Sequence, residues 1–417
     1  MSQNDSNRVV IVAGSRTPFA RAGTIFKKHS ALDLAIHSVH NLLEKTQVTK
    51  EDIEEFVYGI VVTDPRILHL AREIVLASQL PSELQALTVT NNCITGLSAI
   101  RTIYDSILSE RIEVGIAGGV ESMSNLALLF SRQSSRIFLD AFAAKSVNER
   151  MREFLKLRPN HFKPTSPGIK EPSTGLSMGE HTELMVKEWK ISQQEQDEIA
   201  YRSHMNAHQA TEDGRLINEI APLDGIESDQ FIRPDTTLDK LAKLKPVFDR
   251  SETGTITAGN SSPLTDGAAS ILLMSDEYAK QNNYKQFAYV KDFEFVGIHP
   301  DEGLLMGPAI AVPKLLQRNS ITLDDFDIIE MHEAFGGQIA CNLKAWEQGW
   351  KQAAIGKVDV DKLNPLGSSI AIGHPFSSTG IRITTTLANE MQRRNSRLGL
   401  VSICGAGGTA AAMIIER

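Results

Sequence analysis

The chain has 417 residues, a hydrophobic fraction of 41%, an aromatic fraction of 6% and a formal net charge of −8. That length predicts two or three domains at about 150 residues each, and the composition suits a soluble globular protein with a substantial core. The acidic balance argues against nucleic-acid binding, which needs a basic face, and 3 cysteines without CxxC spacing exclude a disulfide framework and point to a reducing compartment.

The chain opens on the polar run Met1 to Arg8 and passes straight into the apolar Val9–Val12. No signal-peptide core or Arg-rich transit pattern is present, and no apolar run reaches the ~18–20 residues that span a bilayer. A cytoplasmic location is expected. Beyond this point short apolar runs alternate with helical stretches. The runs are Val9–Val12, Phe56–Val62, Val114–Gly118, Ile328–Met331 and Leu398–Ile403; the helices are Ala31–Leu43, Gly96–Leu108, Gln193–Glu212 and Gly380–Arg393. Such alternation predicts an α/β fold with largely buried sheets.

Two segments resemble each other, Val48–Tyr58 and Ile321–Met331. Each is followed by a turn that presents a reactive side chain at the start of a helix, Cys93 in one case and His374 in the other. Each then reaches an apolar strand ending in glycines, at Gly118-Gly119 and at Gly405 to Gly408. Three matches in the same order predict an internal duplication of one α/β unit.

Between the copies, about residues 122–250, the pattern breaks into charge clusters and long helical stretches, as expected of an insertion that covers a site. Within it, residues 131–170 carry nine Lys/Arg (132, 136, 145, 150, 152, 156, 158, 163, 170) against three acids (140, 149, 153). Ile137, Ala141, Ala144, Val147, Met151, Phe154 and Leu155 recur there at helical spacing. A basic amphipathic helix of this kind suits peripheral contact with an anionic membrane or a partner. The commoner outcome is a helix packed on its own domain with a solvated basic face.

Three small-residue turns hold the chemistry. Cys93 lies between Asn91-Asn92 and Gly96, at the start of a helix whose backbone N–H groups and dipole are expected to favour a thiolate. His374, held in a Gly-His-Pro turn, is the candidate base. Cys404 ends a strand before Gly405, Gly407 and Gly408, whose N–H groups would suit an oxyanion, and its thiol suits general acid work near neutral pH. His332, in Met331-His332-Glu333, could donate to a carbonyl oxygen. The structural alternatives are a small buried core residue for either cysteine and a hydrogen-bonded core histidine for His332. Cys341 reads as structural. Two thiols and an imidazole in such turns suggest acyl transfer through a thioester.

Metal and nucleotide sites fare worse. His204 and His208 share a helix face, but no third ligand follows at useful spacing, and His37 and His40 are equally isolated. No site residue is expected to hold a metal. Neither a P-loop nor a strand-borne GxGxxG is present.

In family order, the following motifs closely resemble the thiolase family over nearly the whole chain: Arg16-Thr17-Pro18, Asn92-Cys93 with Gly96-Leu97, Gly118 to Ser124, Ser177-Met178-Gly179, Thr257 to Ser262 with Asp266 to Ala269, His332 to Phe335, Gly373-His374-Pro375, and Cys404 with its glycines. The resemblance implies a five-layered αβαβα fold of two similar halves: 1–121 with 251–280, and 281–417, with 122–250 as a loop domain over the active site. It implies Cys93 as the acylated nucleophile, His374 as its base and Cys404 as the acid/base thiol. His332 with His374 would form a first oxyanion site, and the N–H groups of Cys93 and Ala406 a second, which would stabilise a departing enolate. Met178, Phe248, Ala258, Ser262 and Phe335 would line the pantetheine channel. Coenzyme A enters as a substrate, and no permanently bound cofactor is expected. A homodimer or larger oligomer is implied.

Three departures stand out. Most thiolases carry Asn where this chain has His332; the His, together with Leu343 to Trp346 and Asn364 to Gly367, is similar to the β-subunits of fatty-acid-oxidation trifunctional complexes, which implies a hydratase/dehydrogenase α-subunit as partner. Ser377 replaces a usual Gly and is expected to narrow the approach to His374. Ala406 replaces another, but contributes only its backbone. The leading function is thiolytic cleavage of medium- or long-chain 3-ketoacyl-CoA. Its rivals are a biosynthetic acetoacetyl-CoA thiolase, a ketosynthase (disfavoured by Cys404) and a non-catalytic acyl-CoA-binding subunit (disfavoured by the intact catalytic set).

Overall fold

The structure, a computed structural model, describes residues 8–164 and 170–417. The polar opening, and part of the basic segment 131–170, lie outside the described residues. The first part of the chain forms β1 (Val9–Arg16), β2 (Ala20–Arg21), α1 (Ala31–Thr46), β3 (Glu55–Gly59), α2 (Leu70–Ala77), β4 (Gln85–Val89), α3 (Thr95–Leu108) and β5 (Val114–Glu121). Helix α1 starts where Ser30 and Asp33 form a reciprocal capping box and stops at Gln47 in the left-handed region. Its Leu34, Ala35, Val39, Leu42 and Leu43 recur on one face and are buried.

Next come α4 (Arg132–Ala143), α5 (Val147–Phe154), α6 (Met178–Trp189), α7 (Gln193–Glu212) and α8 (Leu238–Leu241), then β6 (Thr265–Ser275) and α9 (Asp276–Gln281). The chain ends with β7 (Ala288–Gly297), α10 (Pro308–Asn319), β8 (Ile328–Met331), α11 (Gly336–Gln348), α12 (Ser369–Ile372), α13 (Thr379–Arg394), β9 (Leu398–Gly405) and β10 (Thr409–Glu416).

The strand order is β4-β3-β5-β6-β1-β7-β10-β9-β8. Outward from the central β1/β7 pair it is nearly a palindrome. β6, β5, β3 and β4 on one side match β10, β9, β8 and an isolated bridge from Ile329 to Leu363 on the other. Pairing repeats as well: β3/β5 and β8/β9 are parallel, while β5/β6 and β9/β10 are antiparallel. The short turns Lys50–Asp52 and Leu323–Asp325 precede β3 and β8 at equivalent places, so the duplication read in the sequence is visible in the backbone.

Helices α3 and α13 lie side by side between the two half-sheets, in one core with Leu97, Ile100, Ile103, Ile381, Ile383 and Leu387. Helices α1 and α2 cover the far face of the first half-sheet, through Leu34, Val39 and Ile74. Helices α10 and α11 cover the second, through Val312, Leu315, Ile339 and Trp346. The result is five layers, αβαβα. Strands with both faces covered need continuous apolar runs, and β1, β5, β6 and β9 are buried along their whole length.

Two sequence expectations are corrected here. The run Phe56–Val62 leaves the sheet at Gly59, because Val61 and Val62 turn their N–H groups to the Glu121 carboxylate. The single amphipathic helix becomes a hairpin of α4 and α5. Ala144 turns extended, and Ser146 with Glu149 makes a fresh capping box. Of the expected stripe, Ile137 and Ala141 are buried, whereas Val147, Met151 and Leu155 are exposed.

Candidate active site

The two reactive turns meet because glycine lets two helix ends touch. A Cβ on Gly96 would lie 2.8 Å from the Ser377 carbonyl oxygen, so the start of α3 sits directly on the turn that opens α13. Cys93 precedes α3 in a turn where Asn92 is left-handed, at φ 49°, and asparagine tolerates that region. Thr95 braces the turn by accepting from the Asn91 amide at 2.7 Å and donating to the Asn92 carbonyl at 2.6 Å. The Asn92 side chain donates to the Ala406 carbonyl at 2.9 Å, tying the nucleophile's turn to the glycine-rich end of β9.

His374 is buried, and its Nε2 lies 3.3 Å from Cys93 Sγ. Its backbone N–H donates to Thr265 at 2.9 Å, and its Nδ1 is 2.7 Å from Thr379 Oγ1. Thr379 gives its own proton to the Pro375 carbonyl at 3.1 Å, so it accepts from Nδ1–H. That leaves Nε2 as a lone pair facing the thiol, the tautomer a general base needs. Burial, and then the nearby Arg382 charge, hold the imidazole down at about 3.

The thiolate expectation for Cys93 is corrected. Burial, and then the Glu121 charge, push the thiol up to about 11, against the lowering pull of the Ala406 and Cys93 backbone amides. Cys93 as a residue stays half-buried. At rest the pair is a neutral thiol beside a neutral imidazole. Cys404 is fully buried at the end of β9, and burial together with Cys93 raises its thiol well above the ordinary value. Of the glycine amides after it, Gly407 N–H is taken by the Glu171 carboxylate at 2.8 Å.

His332 is buried with its ring centre 4.0 Å from that of His374. Its Nδ1 is 2.7 Å from Ser369 Oγ, and among the described residues its Nε2 has no hydrogen-bond partner. Glu333 anchors this loop, accepting from Ser203 at 2.7 Å, Asn364 at 2.7 Å and the Ile370 amide at 3.2 Å. One donor atom each from Cys93, His332 and His374 lies within 4.8 Å of the others. By donor type this trio could hold a thiophilic divalent ion. His204 accepts from the Arg233 amide instead, and His37 faces the Ala221 carbonyl.

The remaining expected residues fall in two places. Phe248 packs edge-on against Phe335 at 5.8 Å, beside Met178 in one core; Gly179 makes room for the Phe248 ring. Ser262 joins this wall through its N–H to the Ala334 carbonyl at 2.9 Å. Ala258 lines a separate cleft with Arg21, Phe231, Arg233 and Ser261. Sequence reading missed those two arginines, which lie far apart in the chain, and also Thr265, Ser369 and Thr379, because a lone hydroxyl or cation carries no local pattern. Ser377 does not crowd His374. Its hydroxyl donates to the Val120 carbonyl at 2.8 Å, so the side chain is absorbed between the half-sheets.

Residues 9–277 match the family model of the thiolase N-terminal domain, and residues 284–417 that of the thiolase C-terminal domain. The chain belongs to the thiolase family. This thiolase is 42% identical to a 3-ketoacyl-CoA thiolase of Pseudoalteromonas translucida, over 98% of this chain and 97% of that protein. It is 40% identical to the 3-ketoacyl-CoA thiolase of Colwellia psychrerythraea, over 100% and 98%. Among solved structures, the Bacillus anthracis acetyl-CoA acetyltransferase superposes with a TM-score of 0.87 at 30% identity, covering 99% of this chain and 100% of that one. Human mitochondrial 3-ketoacyl-CoA thiolase, also solved in complex with CoA, gives 0.84 at 28% identity, with 98% of each chain covered. The thiolase fold, two halves with helices between them, accounts for the palindromic sheet.

Proposed function

We propose that this thiolase cleaves 3-ketoacyl-CoA of medium or long chain length with free CoA, releasing acetyl-CoA and a shortened acyl-CoA through a Cys93 thioester. The observation that carries the reading is the 3.3 Å approach of His374 Nε2 to Cys93 Sγ. His374 takes the thiol proton as Sγ bonds to the 3-keto carbon. The 3-keto oxygen then lies beside the attacked sulfur, where the Cys93 and Ala406 amides converge. The C2–C3 bond breaks, its electron pair passes to the acetyl-CoA enolate, and Cys404 supplies the proton to C2. The enolate oxygen falls to His332 and the now protonated His374. This allocation exchanges the two oxyanion sites relative to the sequence-based expectation, because the Ala406 amide acts at the sulfur. Cys404 then takes the proton of incoming CoA, whose sulfur attacks the thioester and frees Cys93.

Met178, Phe248, Ser262 and Phe335 would wall the pantetheine arm, and Arg21 and Arg233 beside Ala258 suit the CoA phosphates. Residues 122–250 would form the cover, and the two halves would divide as 1–121 with 251–280, and 281–417. Strand β4 is an edge strand with Leu87 exposed, which supports a homodimer paired along that edge. A hydratase/dehydrogenase partner, a cytoplasmic setting and membrane contact through the α4–α5 hairpin complete the reading. No helix among the described residues is long and apolar enough to cross a membrane.

A biosynthetic acetoacetyl-CoA thiolase is the second reading, supported by the likeness to the Bacillus anthracis acetyltransferase at 30% identity. The 42% identity to a 3-ketoacyl-CoA thiolase favours the first. Assays with acetoacetyl-CoA and 3-ketohexadecanoyl-CoA decide between them. Preference for the long substrate, with losses of about 10³-fold or more in Cys93→Ala and Cys404→Ala, is expected. Turnover of the four-carbon substrate alone selects the second reading, and inactivity on both overturns the enzyme reading.

A further inference from the structure

The proposed reaction asks opposite things of two imidazoles whose ring centres are 4.0 Å apart. His374 must accept a proton at Nε2, and His332 must donate there. A neutral imidazole has one N–H, and the partner of one nitrogen decides the state of the other. Thr379 passes its proton to the Pro375 carbonyl and so draws the His374 proton to Nδ1. At His332 the partner is Ser369 Oγ, 2.7 Å from Nδ1. Arg382 Nη2 lies 3.3 Å from the same oxygen, and a guanidinium can only donate. Ser369 therefore accepts from Arg382, and among the described residues His332 Nδ1 is the partner for its remaining proton.

We infer that Ser369, oriented by Arg382, is a positioning residue that holds His332 in the Nε2–H tautomer, opposite to the one Thr379 imposes on His374. The inference rests on the proposed oxyanion role of His332 for its consequence; the tautomer rests on the hydrogen bonds, as the arrangement that gives the Ser369 hydroxyl proton an acceptor among the described residues. Its geometry is economical. Thr379 and Arg382 stand one turn apart on α13, and Ser369 opens α12, so one helix governs both rings. Arg382 is itself fully buried, with Glu330 3.9 Å away, and it donates to Ser369 whatever its charge, because a guanidine nitrogen carries N–H groups in either state. His332 Nε2, without a hydrogen-bond partner among the described residues, is left free to meet an enolate oxygen.

Nitrogen-15 histidine spectra of the full-length protein test this directly, with His332→Asn and His374→Asn identifying the two rings. In wild type, His332 should show a protonated Nε2 and a bare Nδ1, and His374 the reverse. Ser369→Ala should move His332 towards a mixture of tautomers, and Ser369→Thr should restore it. A protonated Nδ1 on His332 in wild type, or an unchanged tautomer in Ser369→Ala, overturns the inference. Thiolysis should fall about tenfold in kcat in Ser369→Ala, with little change in KM, and recover in Ser369→Thr; equal loss in both variants also overturns it. A wild type that fails to cleave any 3-ketoacyl-CoA would instead sink the proposed function, leaving the spectra to decide the tautomers.

Discussion

Gly96 and Gly380 face each other where α3 meets α13, and a Cβ on Gly380 would lie 2.7 Å from the Leu97 amide nitrogen. Each half of the duplicated fold places a reactive turn at the start of its central-layer helix. Only the close approach of these two helix ends brings one half's thiol within hydrogen-bond reach of the other half's imidazole. The site is thus a product of the duplication, with each copy contributing a different chemical group.

Gly380→Ala should therefore damage catalysis and stability together. The added methyl meets backbone on α3, which cannot swing aside as a side chain would, and overpacking of this kind costs about 1–3 kcal/mol. We expect a lower urea midpoint and a fall in kcat/KM of about tenfold or more, because the shift opens the Cys93–His374 contact. Gly297→Ala is the control, since a Cβ there meets nothing within 4 Å. Equal behaviour of the two variants would show that the helix contact does not position the site.

The pH dependence follows from a pair that is neutral at rest. An ordinary histidine loses its base form below about 6.5. His374, held down at about 3 by burial, stays unprotonated through that range, so kcat/KM should show no acid limb from this residue near pH 6–7. Burial also lifts Glu121 to about 7, and its charge raises the Cys93 thiol. As pH rises past that value, the newly ionised carboxylate opposes thiolate formation. Iodoacetamide labelling of Cys93 should climb less than the ~10-fold per pH unit of a free thiol between pH 6 and 8. Glu121→Gln should restore the full slope. A labelling plateau above pH 8.5 in wild type would show an ordinary thiol and sink the account.

Arg16 predicts the largest stability loss outside the site. Its guanidinium donates to Glu219 at 2.7 Å and to both Asp229 oxygens at 2.7 and 2.8 Å, and all three side chains are buried. The two acids lie between α7 and α8, so this fork fastens that segment to β1. Removing one member strands buried charge, at a cost of about 3–5 kcal/mol. Arg16→Ala should lose that much in urea unfolding, and Arg16→Lys should recover only part of it, because an ammonium cannot form the planar fork. A loss below about 1 kcal/mol would mean that segment is held elsewhere.

The contrast between what was readable and what was not has a physical basis. The helices α1, α3, α7 and α13 were legible as helical stretches alternating with apolar runs, and the core strands as those continuous apolar runs. Cys93, His374 and Cys404 were singled out because each stands in a small-residue turn, and His332 because it directly follows an apolar strand. The hydroxyls that bond the two histidines were hidden: Ser369, Thr265 and Thr379 are lone side chains that carry no local pattern and meet the histidines only in the fold. The Cys93 thiol was misjudged because the helix-start argument is local, whereas burial by two half-sheets is a tertiary effect. The break between α4 and α5 was missed because apolar spacing continues across the Ser146 cap.

That hairpin carries the last prediction. Leu139, Phe142, Val147, Met151 and Leu155 are all more than half exposed, and Arg132, Arg136, Lys145, Arg150, Arg152 and Lys156 lie on the same two helices or at their ends. Large apolar side chains in water beside several cations match a surface that settles into an anionic lipid headgroup layer. The full-length protein should co-sediment with phosphatidylserine-containing vesicles at low salt, and release as salt shortens the Debye length from about 10 Å at 0.1 M to about 3 Å at 1 M. Phe142→Ser with Met151→Ser should weaken binding at least about fivefold and leave thiolysis of a soluble four-carbon substrate unchanged, since neither side chain touches the site. Binding lost to salt but indifferent to the double substitution would reduce the contact to charge alone. No binding to anionic vesicles under any condition would remove the membrane from the proposed function and leave the apolar face to a protein partner.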